Sequence, residues 1–211
     1  MFELFISAFI TLFVVLDPPG CAPIYAGLTS GANSAQRRSM AIRACAIAGV
    51  ILLVFALVGE RLLGALHIEL DSFRIAGGLM LFLIALDMVF EKRTQRREQR
   101  AEKVMAESLE RPEIEDVSVF PMAMPMLAGP GAIATIMLLA GGAKGIEQTL
   151  IVLAALGVVL VLTLLALLAA GPLMKLVGAR VESVITRLLG VLLAALAAQY
   201  VVDGLRGSFG V

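Results

Sequence analysis

Asp17-Pro18-Pro19-Gly20-Cys21-Ala22-Pro23 interrupts an apolar run from about Leu4 to Leu28, where a helix crossing a bilayer would be continuous. Each of the three prolines lacks a backbone N–H, and its ring crowds the carbonyl one turn back, so the stretch predicts a broken helix. A second break of the same kind stands at Gly129-Pro130-Gly131, again inside an apolar run. Gly20 and Gly131 are 111 residues apart, and Arg74 and Arg187, each opening an R-x-x-G apolar segment, are 113 apart. These separations are about half the chain and predict an internal duplication, one broken helix per copy.

Composition sets the class. The 211 residues are 60% hydrophobic and 16% charged, with mean hydropathy +0.96, against roughly half apolar and a quarter charged in ordinary soluble domains. The chain reads as a polytopic membrane protein whose first partner is the lipid bilayer. Its formal net charge is zero, and it has no basic face with interleaved aromatics, so nucleic acid is not an expected partner. Cys21 and Cys45 both fall in apolar segments, which argues against a disulfide framework. Met1-Phe2-Glu3 supplies no basic n-region, so the first apolar run is expected to stay in the mature protein.

Stretches near twenty apolar residues, the length that crosses a hydrocarbon core of roughly 30 Å, occur at about 4–29, 41–66, 73–90, 118–141, 149–171 and 184–205. The predicted fold class is an all-α membrane protein with six transmembrane helices in two three-helix repeats, the first helix of each broken. The repeats are 1–90 and 118–211. Between them, 91–117 is a charged cytoplasmic linker, basic in its first half and acidic in its second, read as a solvated extension.

Lys and Arg set the orientation, because cytoplasmic loops hold the excess. The loops after spans one, three and five carry 13 of the 17 basic residues, which places them in the cytoplasm and both termini outside it. An odd number of crossings per copy makes the second copy enter from the opposite side, so the repeats are predicted to be inverted. Inverted repeats with interrupted helices are the sequence pointer to a secondary transporter with a midplane site.

A helix interrupted in lipid leaves backbone groups unpaired, each costing several kcal/mol against hydrocarbon, so a break must be buried in protein or line a wet cavity. The start of the second half-helix presents free N–H groups and about half a positive charge, suited to a carboxylate. Asp17 precedes Pro18 as an N-cap precedes an N1 proline, and Gly129-Pro130 repeats the arrangement without the acid. The candidate substrate-binding residues are Asp17, Pro19, Gly20 and Cys21 at the first break and Gly129, Gly131 and Ala132 at the second. Asp17 either caps the half-helix or also couples transport to a proton or sodium ion.

Other polar and small residues take simpler readings. Asp87 is read as a solvated anchor near the cytoplasmic interface, and Gln199 as a packing residue that could bond a neighbouring helix. Gly77, Gly78 and Gly190 read as close helix contacts. Met122, Met124 and Met126 are either adaptable lining near the second break or lipid-facing filler. The single histidine, His67, falls in a short loop, and no HExxH, G-x-S-x-G, P-loop or Cys-His cluster is present, so enzyme chemistry, a metal and a cofactor are not expected.

Leu16-Asp17-Pro18-Pro19-Gly20-Cys21-Ala22-Pro23-Ile24, the run from Pro121 through Gly129-Pro130-Gly131 to Ile133, Arg74-Ile75-Ala76-Gly77-Gly78 leading to Ala85-Leu86-Asp87, and Leu193 to Gln199 with Asp203-Gly204 together resemble the MarC family of six-span membrane proteins. The resemblance covers nearly the whole chain, and the second break is its most specific part. It implies a protein of the plasma (inner) membrane and, from some relatives, transport of small neutral amino acids such as glycine and alanine. Many relatives resemble Asp-Pro-aliphatic-Gly-Asn where this chain has Cys21, whose thiol replaces an amide and bears on specificity. The resulting expectation is a secondary transporter of a small neutral solute working by alternating access. A channel or lipid-handling protein on the same scaffold, or a non-transporting membrane subunit, is the alternative. Short polar loops leave a homo-oligomer open.

Overall fold

The computed structural model describes residues 1–90 and 116–210, with side chains described for all of these except 171–183. The charged tract of the expected linker lies almost wholly outside the described residues. Eight helical segments follow one another among the described residues: α1 (Phe2–Leu16), α2 (Pro18–Leu28), α3 (Ser34–Ala65), α4 (Leu70–Val89), α5 (Ser118–Leu127), α6 (Pro130–Gly141), α7 (Gly145–Leu168) and α8 (Ala170–Phe209). Among the described residues, five helical stretches are long and apolar enough to cross a membrane, with Phe2–Leu28 taken as one crossing. The pair α5 and α6, bent by 55° at their junction, gives a sixth if the two are taken as one span.

Helical structure therefore stands at each expected span, but two of the helices are longer than their apolar runs. α3 begins at Ser34 rather than near residue 41, because Asn33 starts it with a capping box: Gln36 N–H donates to Asn33 Oδ1 and Asn33 N–H donates to Gln36 Oε1, both at 2.9 Å. Its first turn is polar and exposed, so hydropathy does not register it. α8 runs for 40 residues and absorbs the expected loop before residue 184. Only Ala169 separates it from α7, and Pro172 falls in its first turn, where a missing N–H has no intrahelical acceptor to lose.

Small residues set the closest packing. α4 and α8 run antiparallel and nearly touch: a Cβ on Gly204 would meet Asp71 O at 2.7 Å, one on Gly78 would meet Ala197 O at 2.8 Å, and one on Gly190 would meet Ala85 O at 3.1 Å. This is the close-contact role expected of Gly78 and Gly190, while Gly77 abuts Leu138 of α6 instead. In a bilayer, helices associate through such fits because lipid tails are as apolar as leucine. Around this pair, α3 packs on α5, α6 and α7; α7 packs on α1, α2 and α3; α2 lies against α8 and α6 against α4. Val50, Leu53, Val54, Leu57 and Val58 of α3, with Val158, Val161 and Leu165 of α7, stay exposed and form faces for lipid.

Candidate functional site

At the first break the chain turns at one residue. Asp17 takes a left-handed conformation (φ 56°, ψ 62°), closes α1 by donating its N–H to Phe13 O at 2.9 Å, and caps α2, accepting the Gly20 N–H on Oδ1 at 3.2 Å. Pro18 and Pro19 follow at N1 and N2, where no donor is lost. Aspartate and asparagine are the non-glycine residues that tolerate this backbone, because their short side chains bond locally. Cys21 bonds back across the break, its N–H to Asp17 O at 3.1 Å and its thiol to Leu16 O at 3.5 Å, so the thiol serves the carbonyl whose i+4 donor, the Gly20 N–H, is turned to the Asp17 side chain. Pro23 does not break the chain again; it lies inside α2.

The second break is built differently. α5 is a widened coil rather than regular α-helix: Met122 N–H reaches Val117 O at 3.2 Å and Ala128 N–H reaches Ala123 O at 2.9 Å, both five residues back. Phe120 and Met124, each followed by a proline, have extended backbones, and the peptide bonds to Pro121 and Pro125 are cis. Gly129 then caps α6, with Pro130 at N1. The arrangement of an N-cap followed by a proline thus recurs at both breaks. Gly129 offers no side chain, however, so the first turn of α6 has no side-chain acceptor. Thr135 donates its hydroxyl to Gly131 O at 2.7 Å. The methionines around the break divide: Met122 and Met126 are buried, Met124 is exposed.

All seven candidate residues lie in protein rather than against lipid. Asp17, Gly20, Cys21, Gly129, Gly131 and Ala132 are buried and Pro19 is half-buried, with Asp17 only 1% exposed. Leu16, Cys21 and Ala22 beside one break belong to the same contiguous core as Leu127, Ala128 and Ala132 beside the other, and α1 packs on α6.

A cavity of about 410 Å³ lies elsewhere, at the far end of α2. Tyr25, Ala26 and Thr29 of that end, Ser34, Arg37 and Arg38 of the first turns of α3, and Leu167, Leu168 and Ala170 from the α7–α8 joint line it. None of the seven candidate residues does. The Tyr25 hydroxyl donates to Arg37 O, and the Thr29 hydroxyl to Tyr25 O at 2.7 Å, which ties α2 to α3 under the cavity. Sequence reading missed this feature because its walls come from three separate helix ends; the usable signal was Ser34, Arg37 and Arg38 at i, i+3 and i+4.

Two turns further along α3, Arg43 pairs with Asp116 at 2.7 Å, holding the start of the second half against the first. Burial pushes the Asp116 carboxyl up, but hydrogen bonding from Ser118 and the Arg43 guanidinium outweigh it and hold it below its ordinary value. At the opposite end of the molecule Arg74 pairs with Asp71 at 2.6 Å, and His67 occupies the exposed α3–α4 loop with positive φ. Gln199 does not reach a neighbouring helix; its Nε2 donates to Asp203 Oδ1 on α8 itself at 2.7 Å.

Residues 2–209 match the family model described as MarC family integral membrane protein. A UPF0056 membrane protein of Methanocaldococcus jannaschii is 37% identical over 207 residues, covering 98% of both chains. The UPF0056 membrane protein YvbG of Bacillus subtilis is 34% identical, covering 99% of this chain and 97% of its own, and one of Archaeoglobus fulgidus is 32% identical over 95% and 92%. No solved structure matches the chain.

Proposed function

The chain belongs to the MarC family of integral membrane proteins, and from that premise we propose that it is a secondary transporter of a small neutral solute, most plausibly an amino acid of glycine or alanine size, and not an enzyme. The observation that carries this reading is the pair of half-helix starts, α2 and α6, each opened by a buried N-cap and an N1 proline and both flanked by residues of one core. Irregular backbone at membrane depth is tolerated where protein or a solute pathway surrounds it, and half-helix N-termini suit a carboxylate. The α6 start, without a side-chain cap, is the one with donors to offer.

Alternating access by two inverted repeats is supported by how the helices pair. Exchanging α1 to α4 for α5 to α8 turns the α1–α7 contact into α5–α3, α2–α7 into α6–α3, and α2–α8 into α6–α4, and every one of these contacts exists. The α3–α7 and α4–α8 contacts map onto themselves. The proposed setting is the plasma (inner) membrane with both termini outside the cytoplasm, following the distribution of Lys and Arg.

Purified protein in liposomes tests the reading: saturable uptake of glycine or alanine with counterflow is expected, and a channel would show neither. Gly131→Leu is expected to abolish uptake, because a Cβ there would meet Ile84 Cδ1 at 2.3 Å and a longer side chain must displace Ile84 or the α6 start itself. Unchanged transport by that variant would remove the site.

A further inference from the structure

The cavity at the far end of α2 has two unlike walls. On one side Ser34, Arg37 and Arg38 present one face of α3's first turns, and on the other stand Leu167, Leu168 and Ala170. Among the described residues no carboxylate lines it, and neither Arg37 nor Arg38 makes an ion pair. Arg43, by contrast, is neutralised by Asp116. The cationic wall is also the N-terminal end of a 32-residue helix, whose dipole adds positive potential to the two guanidiniums. Ser34, Arg37 and Arg38 are themselves exposed, so the positive charge is open to an anion from outside while the leucines form the apolar wall opposite.

We propose that this cavity binds a phosphate-bearing anion, with the headgroup of an acidic phospholipid as the form that meets both walls. Planar guanidiniums match phosphate oxygens two at a time, and basic pockets between transmembrane helices hold lipid headgroups by this chemistry. The leucines at the end of α7 then meet the glycerol and the first methylenes. A volume of about 410 Å³ falls within the range of roughly 300–1,000 Å³ usual for small-ligand sites. None of the residues at the helix breaks takes part, so the site stands whether or not the transport reading does.

The test uses the full chain, purified in a neutral detergent, with its thermal unfolding followed against short-chain phosphatidylglycerol, short-chain phosphatidylcholine and inorganic phosphate. Phosphatidylglycerol is expected to raise the midpoint saturably and phosphatidylcholine is not. Arg37→Gln and Arg38→Gln are each expected to weaken the response about tenfold, whereas Arg61→Gln, at the opposite end of α3, leaves it unchanged. Stabilisation by the lipid alone assigns the anion to the membrane; stabilisation by inorganic phosphate too, lost with the same arginines, assigns it to solution and keeps the site. An equal response to both lipids, or a parent-like response from the double glutamine variant, overturns the proposal. Should that variant not fold, Arg37→Lys and Arg38→Lys keep the charge but lose the fork, and undiminished binding by them overturns it equally.

Discussion

At Gly20 a methyl group would sit 2.3 Å from Asp17 Oδ2, because the carboxylate that caps α2 folds back over that position. Gly20→Ala is therefore expected to cost about 1–3 kcal/mol, the range for overpacking a filled site, read as a lower unfolding midpoint in detergent. Asp17→Asn keeps both the cap and a residue that tolerates the left-handed backbone, so near-parent stability is expected. Asp17→Ala loses the cap, about 1 kcal/mol, and adds the cost of a left-handed alanine, about 1–2 kcal/mol. If Asp17 also couples transport, Asp17→Asn shifts the pH or sodium dependence of uptake while the fold stands; an unchanged profile leaves it a cap. Asp116 gives a pH prediction with a definite sign. Its folded-state pKa is lowered, so its contribution is fully present above the ordinary carboxylate value and is lost as pH falls through the lowered one. Both partners are about half exposed, which limits the effect to under about 1 kcal/mol. Arg43→Ala is expected to weaken this acid-side dependence in unfolding measured from neutral pH to about 3.

Among the elements, α4 and α8 make the interface most sensitive to side-chain size. A Cβ on Gly78 would meet Ala197 O and Val201 Cγ2, each at 2.8 Å, and the carbonyl cannot swing aside, so Gly78→Ala is expected to destabilise by about 1–3 kcal/mol. Gly157, in α7, has nothing within 4 Å of its would-be Cβ; Gly157→Ala is expected to raise stability by up to about 1 kcal/mol through helix propensity alone. Comparing the two unfolding midpoints checks whether packing or propensity governs each glycine. The helix starts at Pro18 and Pro130 were legible in the sequence because a proline's effect is local and does not wait for tertiary structure. The early start of α3 and the fusion of α8 across 171–183 were not, since hydropathy counts apolar residues and a polar helical turn at the interface does not register. Nor was the difference between the breaks legible: Asp17 turns the chain at one residue, while the second break spends ten residues of irregular coil, from Ser118 to Leu127, before a 55° bend.

For the whole molecule, the helical spans and the family followed from the sequence, whereas the cavity did not, because it exists only where α2, α3 and the α7–α8 joint converge. The candidate residues at the breaks sit in the packed interior or, for Pro19, half-buried at its edge, which the prolines alone did not tell. Orientation is open to direct measurement. With buried Cys21 and Cys45 replaced, a cysteine at Ser30 is expected to react with a membrane-impermeant maleimide only from the cytoplasmic side, and one at Lys144 only from outside; labelling of both from one side overturns the six-crossing topology.

Ala169 alone joins a 24-residue helix to a 40-residue one, and the two peptide steps across it span at most about 3.8 Å each, so the end of α7 and the start of α8 have little slack between them. Leu167, Leu168 and Ala170 straddle that joint, and the mouth they frame cannot gape by flexing a loop. On that side it widens as α7 and α8 swing together, and a molecule wedged there would act as a doorstop on both.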